Sequence, residues 1–130
     1  MLKINNKEYK VISSKIKYVN STHNKEKYFS ILVNLNIELN GNNGYIKFYI
    51  DEFKEKNIKD IENKKFVDLP AKLDSKINMV EIFDTKNFID FIDSDVIVEF
   101  KNIIDDKIET KINICDDKIN LEYQGLIDIK

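Results

Sequence analysis

Between Lys27 and Ile50 the chain reads KYFSILVNLNIELN, then GNNG, then YIKFYI. Phe29, Ile31, Val33, Leu35, Ile37 and Leu39 take every second position, and Ser30, Asn34, Asn36, Glu38 and Asn40 fall between them, with Leu32 alone out of phase. A period of two places one set of side chains on each face of a strand, so this segment predicts a β-strand with a dry face and a wet one. Two glycines and two asparagines follow, residue types suited to a tight reversal, and Tyr45 to Ile50 returns as a second strand. Burying the apolar face withdraws six large side chains from water, each worth about 1.5 to 3 kcal/mol before entropy is counted. A flat strand of this length would run roughly 45 Å, against a radius of gyration of about 14 Å for a chain of this size. The strand therefore has to coil, bend or carry a bulge, which favours a curved sheet or a barrel.

The rest of the chain repeats the theme. Residues 2–20 predict a short strand, an asparagine turn and a longer strand whose phase changes at Ser13-Ser14, the mark of a bulge. Asp51 to Lys65 is charged and helix-compatible, with Phe53, Ile58 and Ile61 as a thin apolar stripe, and predicts a short surface helix. Phe66–Leu69 predicts a brief strand ended by Pro70, the only proline, and Ser75–Phe83 another. In Asp84–Asp93, Phe88, Ile89, Phe91 and Ile92 fall at three- and four-residue spacing behind a cap at Asp84 or Thr85, which predicts a short helix plugging one end of the sheet. A meander closes the chain: strands from Val96, from Ile108 and from Ile119 to Ile129, turns at Asp105-Asp106-Lys107 and Asp116-Asp117-Lys118, and a bend or bulge at Gly125. The expected fold is mostly β: one domain over residues 1–130, an antiparallel curved sheet, sandwich or barrel of about eight strands with one or two short helices.

Composition limits function more than it defines it. The 130 residues carry 34% charged and 42% hydrophobic side chains and a formal net charge of −2, an ordinary globular balance. Neither an apolar leader behind the first lysines nor a run of about 18 apolar residues is present, so a cytoplasmic location is expected. The single cysteine, Cys115, fits a reducing compartment. All 21 basic residues are lysine, and Ile, Asn, Asp and Lys crowd every segment, which points to a low-GC genome, bacterial or from a phage or other mobile element. Without arginine the preferred fork for phosphate and guanine contacts is missing, and nucleic acid is not the expected partner. Charge is lopsided: residues 1–27 hold seven lysines against two acids, whereas from Glu81 onward thirteen acids face six lysines. Either the two ends pair in space or the acidic part is a docking face for a basic partner.

No constellation for chemistry assembles. His23, the only histidine, lies in the polar stretch Asn20–Asn24, without a second histidine or a carboxylate pair to work with. The paired aspartates at 105–106 and 116–117 read as turn formers, since successive meander turns lie at opposite ends of a strand, roughly 27 Å apart. Cys115 sits beside Asp116 and Asp117, a negatively charged setting that does not suit a thiolate nucleophile. With three glycines in the chain, backbone cradles for nucleotides are not expected. No catalytic, cofactor or metal-binding residue is assigned, and the protein is expected not to be an enzyme. What remains is surface: Tyr45, Lys47 and Tyr49 alternate with Ile46, Phe48 and Ile50 on the return strand, leaving bulky groups on both of its faces. The tyrosine side is either covered by the chain or an interaction patch. The expectation is a non-catalytic protein that binds another macromolecule, most simply another protein, as an inhibitor, immunity or accessory protein. The alternative is a carrier of small apolar ligands with a barrel cavity lined by Phe, Ile and Tyr.

Overall fold

Leu39 pairs with Asn42, which leaves two positions for the central reversal, and Gly41 takes one of them at φ 82°. This is tighter than the sequence suggests: Asn42, Asn43 and Gly44 already belong to the return strand. The computed structural model describes residues 1–20, 29–39, 41–53, 57–68, 77–83, 88–90, 95–117 and 119–129. His23, Pro70 and Lys118 lie outside them. Among the described residues ten strands are formed: β1 (Leu2–Ile4), β2 (Lys7–Asn20), β3 (Phe29–Leu39), β4 (Asn42–Phe53), β5 (Lys65–Asp68), β6 (Ile77–Phe83), β7 (Phe88–Asp90), β8 (Asp95–Ile104), β9 (Lys107–Cys115) and β10 (Asn120–Ile129). They make one sheet in the order β5-β8-β9-β10-β1-β2-β3-β4-β6-β7. Neighbours are antiparallel, apart from a short parallel contact in which Asp128 and Ile129 of β10 pair with Lys15 and Ile16 of β2. Two of the ten strands, β1 and β7, are only three residues long.

The alternation holds where it was strongest. Ile31, Val33, Leu35 and Ile37 of β3, Ile46, Phe48 and Ile50 of β4, and Val96 and Val98 of β8 are fully buried. So are Ile108, Ile112 and Ile114 of β9 and Leu121 and Ile127 of β10. One sheet supplies all of them, so the sheet must curl until its inner face packs on itself: β3 and β4 form one wall, β8, β9 and β10 the other. The parallel contact of β10 with β2, beyond the end of β1, joins the walls.

Turn chemistry fixes the hairpins. Asn5 and Asn6 (φ 52° and 68°) connect Ile4 to Lys7, and Asp105 and Asp106 (φ 50° and 60°) connect Ile104 to Lys107. Two successive left-handed residues give the turn whose twist matches a β-hairpin, and Asn and Asp tolerate that conformation best after glycine. Asp116 works differently: its carboxylate accepts the Ile119 amide at 2.8 Å while its own amide donates to the Ile119 carbonyl at 2.9 Å.

Four expectations are corrected. No helix spans the described part of Asp84–Asp93. Phe88, Ile89 and Asp90 pair instead with Phe83, Ile82 and Glu81 as an edge strand, where β-prone Phe and Ile gain ladder hydrogen bonds that a short helix with aspartates at its carboxyl end would lack. The helix expected after Asp51 shrinks to one 3-10 turn, Ile58–Ile61, capped by the Asn57 side chain, because β4 continues to Phe53. That turn supplies the plug, since Ile61 is fully buried in the core. It is moored to a bulge in β8: Glu62 Oε2 accepts the Ile103 amide at 2.6 Å, and the Asn63 amide donates to the Lys101 carbonyl at 3.1 Å. The β2 bulge falls at Ile12, between Val11 and Ser13, rather than at Ser13-Ser14. Gly125 marks no bulge, for β10 pairs with β9 without a break from Asn120 to Asp128.

Candidate interaction surface

On β4 the two faces differ sharply. Ile46, Phe48 and Ile50 are buried without residual surface, whereas Tyr45, Lys47 and Tyr49 point outward and are half-buried. The Lys47 ammonium lies 5.5 Å from the Tyr45 ring centroid, close enough for a cation–π contact. On one side β6 places Phe83, Glu81 and Asn78 opposite Tyr45, Lys47 and Tyr49, with a register shift between the last two pairs. On the other side β3 places Asn36, Asn34 and Leu32 opposite the same three residues, and β2 then adds Ser13, Lys15 and Lys17.

The result is a face of three rows crossing three strands: Ser13–Asn36–Tyr45, Lys15–Asn34–Lys47 and Lys17–Leu32–Tyr49. Its polar side chains are tied to one another. Asn36 Nδ2 donates to Ser13 Oγ at 2.8 Å, and Asn34 Nδ2 donates to Asn36 Oδ1 at 3.3 Å. Leu32 is half-buried next to Tyr49, while Lys15 and Lys17 are exposed at the β2 side. The sequence singled out Tyr45, Lys47 and Tyr49 but missed Leu32, Asn34, Asn36, Lys15 and Lys17, which only strand register brings to them.

Elsewhere charges are matched within the sheet. Lys3 of β1 stands between Glu8 and Glu122, and Lys107 Nζ lies 3.7 Å from Asp128 Oδ1, while Asp128 also stands opposite Lys15 at the β2 margin of the face. The basic first strands and the acidic last strand are therefore neighbours. An open depression of about 460 Å³ lies over β1, β9 and β10, lined by Lys3, Lys111, Asn113, Glu122 and Gln124. Lys111 faces Gln124 and Glu99 across the ladder, so this lining is mixed in sign.

Other sequence candidates do not converge. Asp105-Asp106 and Asp116-Asp117 sit at opposite ends of β9. Cys115 is exposed, its thiol 3.9 Å from the Asp116 carbonyl. Among the described residues no group of three His, Cys, Asp or Glu side chains is placed to hold a metal ion, and no helix is long and apolar enough to cross a membrane. No protein-family model, no curated protein and no solved structure matches this chain.

Proposed function

We propose that the chain is a non-catalytic protein that acts by binding another macromolecule, as an inhibitor, immunity or accessory protein, through the outer face of β4. The observation that carries this reading is the contrast within one strand. Its inner side chains are completely buried, yet its outer side spends two tyrosines on positions the chain covers only in part. Tyrosine is a residue type enriched at interfaces. Half-buried tyrosines are held in place by their own sheet, so little rotamer entropy remains to be lost on docking.

The carrier reading has less to support it. Its cavity would lie against the inner face, and there twenty hydrophobic side chains retain between none and 6% of their surface. Among the described residues these side chains pack against one another as one core.

Affinity capture of the wild-type chain and of a Tyr45→Ser/Tyr49→Ser variant from extracts of its source cells tests the proposal. A discrete partner retained by the wild type and lost with the variant, at unchanged β-sheet circular dichroism, is the expected result. A wild-type chain that runs as a clean monomer and retains nothing beyond what the variant retains would overturn it.

A further inference from the structure

We infer that the partner seated on this surface is an acidic protein face, with carboxylates on Lys15 and Lys17 and apolar contacts on Leu32 and Tyr49. The inference rests on the reading of the outer β4 face as a docking surface and adds the chemistry of what docks there. The three rows hold Lys15, Lys17 and Lys47 and no acid; Lys10 stands opposite Glu38 beyond one end of them, and Asp51 and Glu52 continue β4 beyond the other. Acids bound the face at its two margins: Asp128, already 3.7 Å from Lys107, is opposite Lys15, and Glu81 is opposite Lys47. On a chain whose net charge is −2, a locally cationic face is complementary to an anionic partner and steers it on approach.

The face carries the residue types of a protein interface: Tyr45 and Tyr49 flank Lys47 along β4, Leu32 and the two linked asparagines lie beside them on β3, and Lys15 and Lys17 follow on β2. Neighbouring strands are about 4.8 Å apart, so the distance from Lys15 across Asn34 to Lys47 is only about 10 Å, within one side-chain cluster of a partner. A nucleic-acid strand fits less well. Stacking needs an open aromatic face, and the Tyr45 ring already carries the Lys47 ammonium. Arginine, the residue that adds planar stacking and bidentate phosphate contacts, is absent from the chain.

The test uses the 130-residue chain labelled with 15N and follows backbone amide shifts in three titrations: poly-L-glutamate, single-stranded oligo(dT), and rising protein concentration alone. Poly-L-glutamate is expected to move the amides of Lys15, Lys17, Asn34 and Tyr49 and to leave those of Lys65 and Lys111, on the other wall, in place. A Lys15→Glu/Lys17→Glu variant should lose on the order of tenfold in that affinity, and Lys15→Gln/Lys17→Gln part of it, as rim charges do. Tighter binding of oligo(dT) than of poly-L-glutamate on the same face would overturn the inference in favour of nucleic acid. The same shifts produced by protein concentration alone would overturn it in favour of a second copy. Shifts spread over every lysine, or none at all, would remove the site. Should tyrosine-dependent capture succeed while poly-L-glutamate fails, the docking surface stands and only its acidic partner falls.

Discussion

The Tyr123 hydroxyl lies over Gly125, where a Cβ at that position would stand 2.7 Å from the phenolic oxygen and 3.1 Å from Cζ. Position 125 belongs to the inward phase of β10, between Tyr123 and Ile127, and it is the one inward position that the strand leaves without a side chain. The tyrosine ring fills that space, and its hydroxyl reaches the Leu126 carbonyl at 3.5 Å. Ser14 of β2 donates to the same carbonyl at 3.3 Å, so the group sits where the two walls of the sheet join.

Gly125→Ala should therefore destabilise the fold by about 1 to 3 kcal/mol, the usual cost of overpacking, although glycine in a strand is ordinarily a weak choice. Urea denaturation measures it. Tyr123→Phe removes the nearest atom, so the double variant should cost less than the sum of its parts.

Burial holds the Tyr123 hydroxyl above its ordinary value of 10.0, and the hydrogen bond with Ser14 offsets this only in part. The folded chain thus keeps this proton to higher pH than the unfolded chain does. Above pH 10 the unfolded state binds fewer protons, and stability falls as pH rises through the interval up to the folded value. Below pH 10 this contribution is fully present. Stability measured from about pH 8 to about pH 12 should decline more steeply for the wild type than for Tyr123→Phe. Equal slopes would show that another group governs the alkaline limb.

Ile61 is the single buried side chain of the 3-10 turn and the plug of the core. Ile61→Ala should cost about 2 to 5 kcal/mol by leaving a cavity. Glu62→Ala, one residue on, should act locally instead, because Ile103 loses its 2.6 Å acceptor. The Ile103 amide should then exchange with solvent faster, while global stability falls by about 1 kcal/mol or less.

Strand identity was legible wherever both faces spoke, as in β3 with its alternating apolar and polar positions and in β9 with Ile108, Ile112 and Ile114. The turns were legible as well, because Asn5-Asn6 and Asp105-Asp106 are residues that accept positive φ. β7 was not: Phe88-Ile89-Asp90 suits a helix face as readily as an edge strand, and pairing with Phe83 and Ile82 decides the matter. Half of the candidate surface could have been found by counting. With the reversal centred on residues 40 and 41, Asn34, Asn36 and Leu32 fall opposite Lys47, Tyr45 and Tyr49. Lys15 and Lys17 could not, since the link from β2 to β3 is long and the Ile12 bulge shifts the register by a residue that no local pattern reveals.

The proposed docking role of the outer β4 face is tested most directly by site-specific photo-crosslinking. A benzophenone side chain is placed at Tyr49 in one version of the chain and at Lys111, on the opposite wall, in another, and both are irradiated in extracts of the source cells. The predicted result is a discrete adduct from position 49, absent from position 111 and competed away by unlabelled wild-type chain. Equal adducts from both positions, or none from position 49, would contradict it.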